Sequence, residues 1–574
     1  MSTISIDNDI ELQYDGTNFI YNSTNYSGPI TITNTGDSQI VVNLNFSDNI
    51  SDINHYLTVG SNNITFDGQN IAINVSITNY GGLIQNNDIY SNIIVQNIQI
   101  NANTGSISNK SGWIISAFTH SPPSDIICRI YNCSSTGEIS MESGGIVGGS
   151  GYCEAYNCNS SGNIAWFGGG IFGAQCVNCY AYNCYSTGNI DAGGGGIFGS
   201  NTNFQGINII SKASNCFSTG TINNSIGIGS GGIFGTNCNT ISQDSRCIAS
   251  NCYSLGSIGG PNSHNNGGIF GPDCNCTGNS PNCICIAYCC SSYGNIYGEV
   301  SGSNGGIYGY NPWFGYALNC FSIGNIGYGS GGIFLGGVEI TASSCYTIGN
   351  IGENAGGIFG TTVYGTANFC YSIGDIGNNA GGIFGPNVTY STANNCYSLG
   401  YLEDNAGGIF GDNSSLTFTN NCYVTSNLLI GPSGSSTITN SITQNGIWND
   451  TNANSTIGHG MSPWFSYTPN TPYILGSFNT SSQYFNYIAC PKGYKYSYLI
   501  PNITTITENQ SISLRVLIGY YIGPQNDPTI LSPDIYGYIF NSITNGNLDI
   551  NIEGNSGIAN YSTILLEDIK KPNL

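Results

Sequence analysis

One unit, written eleven times, constrains this chain more than any other feature. It reads C-Y-S-x-G-N-I, then a spacer, then G-G-I-F-G. Its cysteine falls at Cys133, Cys158, Cys184, Cys216, Cys252, Cys290, Cys320, Cys345, Cys370, Cys396 and Cys422, at steps of 25 to 38 residues. Six residues after each Cys stands an aliphatic: Ile139, Ile164, Ile190, Ile222, Ile258, Ile296, Ile326, Ile351, Ile376, Leu402 and Leu428. Four residues after it stands Gly in ten of the eleven units, and the last has Ser426. From Cys to the central Ile of G-G-I-F-G the distance is 13 or 17 residues. Extra length therefore enters at defined places, as loops do in a stacked array.

Helical repeats need longer units and good helix formers. This unit has Gly where a helix would break, with β-branched and aromatic residues between. Short strands cut by one set of turns per repeat describe an all-β chain, a parallel β-solenoid of about 25 residues per coil. Equivalent residues then stack about 4.8 Å apart. Cys, the Ser two residues later (Ser186, Ser254, Ser322, Ser372, Ser398) and Ile at two positions are expected to fill a narrow interior. A buried free Cys behaves there as a small hydrophobe. About fifteen coils predict a rod of roughly 70 Å.

Composition limits what such a rod can do. Nine Lys and Arg stand against 31 Asp and Glu, for a net charge of -22. Only 7% of residues are charged, against roughly 25% in an average domain. Nine cations cannot neutralise a phosphate track, so nucleic acid is excluded as a partner. A 40% hydrophobic content argues against disorder. The first residues lack the basic and apolar regions of a signal peptide, and no run of 18 apolar residues predicts a membrane-spanning helix. No cofactor motif stands out. G-G-I-F-G lacks the Lys-Ser/Thr of a phosphate loop, and its repetition argues for turns. Asn-X-Ser/Thr sequons (Asn22, Asn45, Asn63, Asn387) follow from composition.

The organisation predicted is an N-terminal cap with irregular first coils over 1–120, regular coils over 121–435, closing coils and a linker over 436–484, and a small sandwich-like β domain over 485–574. The last holds five of the nine cations. A second, partial set of cysteines precedes the first by five residues: Cys128, Cys153, Cys179, Cys247 and Cys285. A long insert holds Cys274, Cys276, Cys283, Cys285, Cys289 and Cys290. Loop disulfides, free thiols and a metal site all fit that spacing, as they do Cys176 and Cys179.

One residue after the ladder Cys runs an aromatic stripe: Tyr185, Phe217, Tyr253, Phe321, Tyr346, Tyr371, Tyr397 and Tyr423. If Cys points in, alternation points these rings out. An exposed stripe can form a subunit interface, bind sugar rings, or stiffen the sheet by stacking. His55, His120, His264 and His459 are isolated and read as polar surface residues.

The segments CYSTGNI…GGGGIFG and CYSIGDIGNNAGGIFG resemble the GLUG-type repeat of bacterial surface adhesins. They are more similar to right-handed parallel β-helix repeat proteins encoded by giant DNA viruses of amoebae. The lead-in segments LTVGSNNITFDGQNIAINV, YGGLIQN and NIIVQNIQI carry the same resemblance. It implies a right-handed β-helix in a virion-surface fibre, spike or decorating protein with a part in host attachment. The implied partners are further copies of the chain (a trimer, by analogy with fibre proteins), other virion proteins and a host glycan.

Parallel β-helices also host pectin lyases and glycosidases. Such hydrolases need two or three carboxylates meeting on one face. Arg129, Lys212 and Arg246 are the basic residues of the regular coils and read as loop positions. Eight residues after successive ladder cysteines stand Glu353, Asn378 and Asp404, with Glu403 beside the last. Two coil spacings would set Glu353 and Asp404 about 10 Å apart, near the range of an inverting pair. The plainer reading is a solvated corner beside an Asn ladder of Asn354, Asn379 and Asn405. A lectin or carbohydrate-active enzyme is thus the alternative to a non-enzymatic structural protein.

Overall fold

The computed structural model describes residues 2–443 apart from 87–89, 103, 117–127, 150–151, 205–206, 224–226, 240–241, 243, 275–282, 301 and 425, together with six strands beyond 443. Among the described residues every regular element is a strand. The chain is a parallel β-helix. One sheet stacks strands such as Cys128–Tyr131, Cys153–Tyr156 and Tyr180–Tyr182 in parallel, with Cys128 opposite Cys153 and Ala155 opposite Ala181. A second, fourteen-stranded sheet runs from Ala72–Asn74 through Tyr185–Ser186 to Ile442–Thr443. The third face is joined by single parallel bridges, for example Ile164 to Ile190, Gly169 to Gly195 and Phe172 to Phe198.

The turn between the first two sheets explains the Asn before most ladder cysteines. Asn132, Asn157, Asn183, Asn215 and Asn251 all hold φ between 51° and 54°. Asn tolerates this left-handed region better than other side chains. Its amide also stacks: Asn183 Nδ2 donates to Asn157 Oδ1 and Asn215 Nδ2 to Asn183 Oδ1, both at 3.2 Å. The corner ladder of Asn354 and Asn379 repeats the pattern at 3.2 Å.

Inside, the ladder cysteines are fully buried and stacked. Each passes its carbonyl to the coil above, as Cys158 O accepts from Tyr185 N at 3.1 Å. Ser160, Ser186, Ser218 and Ser254 form the next interior column. Opposite them runs a column absent from the sequence expectation: Phe172, Phe198, Phe234, Phe270, Tyr308, Phe334, Phe359, Phe384 and Phe410, all buried. Their rings stack, at 4.6 Å and 3° for Phe198 and Phe234. The preceding Ile is buried too. Two neighbours face inward together because consecutive N–H groups, those of Ile171 and Phe172, donate to one carbonyl, Ile197 O, at 3.1 and 2.9 Å. That bulge recurs in each regular coil and breaks the alternation of a flat strand.

Glycine is forced where the Ser column meets this face. A Cβ on Gly170 would lie 1.9 Å from Gly196 O and 2.7 Å from Ser186 Cβ. Tyr308 is accommodated in the Phe column because its hydroxyl lies 2.9 Å from Cys285 O and 2.8 Å from Tyr316 O, either of which can accept its proton.

Residues before the first Cys unit belong to the same helix. Ile30, Leu57, Ile84, Ile115, Val147 and Phe172 follow one another in a single column. The first turn differs: Ile10–Tyr14, Phe19–Tyr21 and Thr24–Tyr26 pair antiparallel. Tyr14, Phe19 and Phe46 cluster there around His55, which is 6% exposed. His55 is therefore not the surface residue expected, since its Nδ1 lies 3.2 Å from the Tyr14 hydroxyl inside an aromatic cage. At the other end Leu428 is exposed instead of continuing the aliphatic ladder. The coil after Cys422 omits a corner, so Leu429 bonds to Ile409 and Ile430 takes the place of Phe.

The proposed C-terminal domain, 485–574, lies mostly outside the described residues. Described there are strand pairs Phe485–Ala489 with Ser497–Pro501, and Phe540–Thr544 with Asn547–Ile550, both antiparallel.

Candidate interaction surface

The aromatic stripe forms one outward column on the second sheet, in two stacked runs. Tyr185, Phe217 and Tyr253 pair in register, as do Phe321, Tyr346, Tyr371, Tyr397 and Tyr423. Ser291 interrupts it, and Tyr293 fills the gap by meeting Tyr253 and Phe321 edge-on at 6.1 and 5.7 Å. The expected exposure is found only in part. Tyr185, Phe217 and Tyr253 are half-buried, whereas Phe321, Tyr371, Tyr397 and Tyr423 are 2% exposed or less. The rings lie nearly parallel, with centroids 4.8 Å apart and planes 4° apart for Tyr185 and Phe217, and 4.8 Å and 2° for Tyr371 and Tyr397. Each face is covered by the next ring, so a sugar ring stacked face-on has access only at a column end. Burial pushes the Tyr397 hydroxyl well above its usual range.

A second outward column, Tyr131, Tyr156 and Tyr182, stacks at 5.0 and 4.9 Å on the first sheet. Beside it Arg129 Nε meets Glu154 Oε2 at 3.0 Å. Arg129, Lys212 and Arg246 stand on strands, not in loops as expected. Each occupies an outward, half-buried position of the first sheet. Burial pulls the Lys212 ammonium below its usual range.

Glu353, Asn378 and Asp404 do stack in successive coils. Asn354 N donates to Asn378 O, and Asn379 N to Asp404 O, both at 2.9 Å. Glu353, Asn378, Glu403 and Asp404 are exposed at this corner. No wall of the described structure shields them from water, so the geometry is that of a solvated edge.

The ladder thiols are free and buried. Cys184 Sγ sits 3.3 Å from Tyr182 O and 3.5 Å from Ala155 O. Burial pushes the thiols of Cys133, Cys184, Cys216, Cys290, Cys345, Cys396 and Cys422 well above their usual range. The second cysteine set is also interior: Cys128 stacks on Cys153 and Cys247 on Cys285. In the insert, Cys283 is disulfide-bonded, Cys274, Cys285 and Cys290 are free thiols, and all four are buried, as is Cys289. Cys276 lies outside the described residues. Cys176, Cys238 and Cys274 make a further set, each bonding through sulfur to the last Gly carbonyl of its own G-G-I-F-G, at 3.0, 3.5 and 3.2 Å. Among the described residues no group of three or more His, Cys, Asp and Glu is placed to hold a metal ion. His264 is half-buried, and His120 and His459 lie outside the described residues.

No family model matches the chain, and no curated protein or solved structure matches it either. Among the described residues no helix is long and apolar enough to cross a membrane.

Proposed function

We propose that this chain is a non-enzymatic structural rod on the surface of a virus particle: a fibre, spike or decorating component that takes part in host attachment. One observation carries the structural half of this reading. The cross-section is filled by columns of like residues, from the Cys column to the Phe column, with no space for a Cβ at Gly170 or Gly196. Outward rings are likewise engaged with their own kind. Such a scaffold is built to hold its length. Its charge of -22 disfavours adsorption to other anionic surfaces. The particle assignment rests on the repeat's resemblance to the giant-virus β-helix proteins. Mass spectrometry of purified particles, with immunogold imaging, tests it. Surface labelling is the expected result, and absence from particles overturns the assignment.

The stacked carboxylates Glu353 and Asp404 support the second reading, a glycan-cleaving enzyme or lectin on the same scaffold. A screen of oligosaccharides for turnover decides it. Cleavage that Asp404→Asn abolishes establishes the enzyme; binding without turnover establishes a lectin.

A further inference from the structure

A different surface shows an apolar stripe with no described neighbour over it. It lies on the first sheet, toward the C-terminal end of the rod. Trp313, Val338 and Tyr364 follow one another in register. Tyr390 stacks on Tyr364, with centroids 5.7 Å apart and planes at 10°. Leu416 is next, one residue beyond the Thr389 to Ser415 bridge. The adjacent outward column is Thr341, Thr366, Thr392, Phe418 and Thr437. Trp313 is 39% exposed, Tyr364 42%, Tyr390 60%, Leu416 56% and Phe418 44%. At about 200 Å² per large side chain, these fractions sum to roughly 500 Å² of apolar surface. That is the size at which an exposed patch marks a contact. It also supplies most of the apolar centre of an interface that buries about 800 Å² on each partner.

Backbone strain points the same way. Tyr390 has φ 52° and Leu416 φ 54°. This chain places Asn at most such solvent-facing positions, as at Asn183 and Asn395. Bulky apolar residues in the left-handed region, with more than half their surface in water, cost stability twice over. Local structure does not require them, so they serve a contact that the isolated chain does not make.

Charge selects the occupant. Two copies carrying -22 each repel wherever their carboxylates face one another. The two columns named carry no charged side chain, and Glu339, in the bulge beside Val338, lies at their margin. The exposed carboxylates Glu353, Glu403 and Asp404 stand on another corner. A cationic partner would have no reason to choose this face, and the stacked Tyr364 and Tyr390 hide one face of each ring from a sugar. We infer that Trp313, Tyr364, Tyr390, Leu416 and Phe418 form a seam at which a second copy of this chain docks, rod side against rod side, about a two-fold axis. This rests on the structural-rod reading, but self-association and presence in particles are measured separately and fail separately.

The test uses the full chain. Analytical ultracentrifugation from 1 to 100 µM, these being roughly the concentrations at which micromolar dimers resolve, is run on wild type and on Tyr390→Asn/Leu416→Asn. Wild type is expected to shift from monomer to dimer, more strongly at high salt, which screens the like charges. The double variant is expected to stay monomeric with an unchanged or higher melting temperature, because Asn suits that backbone. A control, Val300→Asn, removes a side chain 86% exposed elsewhere and should dimerise as wild type does. A wild-type chain that is monomeric throughout overturns the inference. So does a double variant that dimerises normally. If the double variant misfolds, Tyr364→Ser, which leaves φ untouched at both strained positions, replaces it: a monomer is expected, and normal dimerisation overturns the inference. Oligosaccharide binding quenched by Trp313→Ala in a monomeric wild type assigns the face to a glycan and also overturns it.

Discussion

The coils before residue 116 and those after residue 128 share one set of columns but fill them differently. In the earlier coils Ile98, Ile100 and Ile115 stand where the later ones place Cys133, Ser135 and Val147. Trp113 occupies the position of the second glycine, and its indole N–H donates to Gly137 O at 3.2 Å. From Phe172 onward one column gains a ring while the columns facing it hold Cys, Ser and Gly. Cross-sectional volume is conserved, not residue type, as close packing demands. The small-residue motif is therefore the counterpart of the Phe column, and a coil without either still takes its place in the stack.

The sharpest way to separate the two regions is alkaline pH, because no Cys precedes Cys128. Seven ladder thiols have folded pKa values raised by burial. Their stabilising effect is complete below the unfolded thiol pKa of about 8.5 and is lost as pH rises above it. The loss grows as pH rises further above that value, and it falls on the Cys coils alone. Hydrogen exchange by mass spectrometry should show the Cys coils opening between about pH 9 and 10 while coils before 116 stay protected. Uniform protection at pH 10 breaks the comparison.

Next in size is glycine. A Cβ on Gly196 would lie 2.0 Å from Gly232 O, whereas one on Gly36 meets only Asn34 Oδ1, at 3.5 Å. Gly196→Ala should cost about 4 kcal/mol or prevent folding, and Gly36→Ala about 0.5 kcal/mol or less, by chemical denaturation. Phe234→Ala should cost about 3–5 kcal/mol, from a cavity between two stacked rings. A cost near 1 kcal/mol would mean that the column is loosely packed. The smallest effect is at the turn: Asn183→Ala should cost about 1–2 kcal/mol and Asn183→Gly far less, since the φ of 54° is what Ala resists.

Repetition made the coil legible in the sequence: a Cys every 25 to 38 residues locates the thiol column, the Ser two residues on, and the outward aromatic between them. The Phe column was hidden because alternation places neighbours on opposite faces, and the shared acceptor Ile197 O turns both Ile171 and Phe172 inward. His55 misled because its cage is assembled from Tyr14, Phe19 and Phe46, distant in sequence. Outward aromatics were legible as a stripe, but not the burial of Tyr371 and Tyr397, which the equally stacked Tyr185 and Phe217 do not share. The Trp313 to Leu416 seam was invisible, since its members fall outside the repeated motif. The signal that would have found it is a bulky residue three or four places after the Pro-Asn or Asp-Asn turn that ends the G-G-I-F-G coil, as in Pro386-Asn387 to Tyr390 and Asp412-Asn413 to Leu416.

Length varies on this rod at two places, before G-G-I-F-G and after it, and the larger additions fall after it. Between Phe198 and Ile210, and again between Phe234 and Arg246, the chain takes extra residues after the Phe column and before the next first-sheet strand, yet Phe198 still bridges Phe234 and Ile210 still faces Arg246. Additions there leave the packing above and below undisturbed. The edge is thus a grafting point: an epitope or reporter peptide inserted just before Ile207, which is 65% exposed, would be carried at a fixed height along the shaft, and coils could be marked one by one.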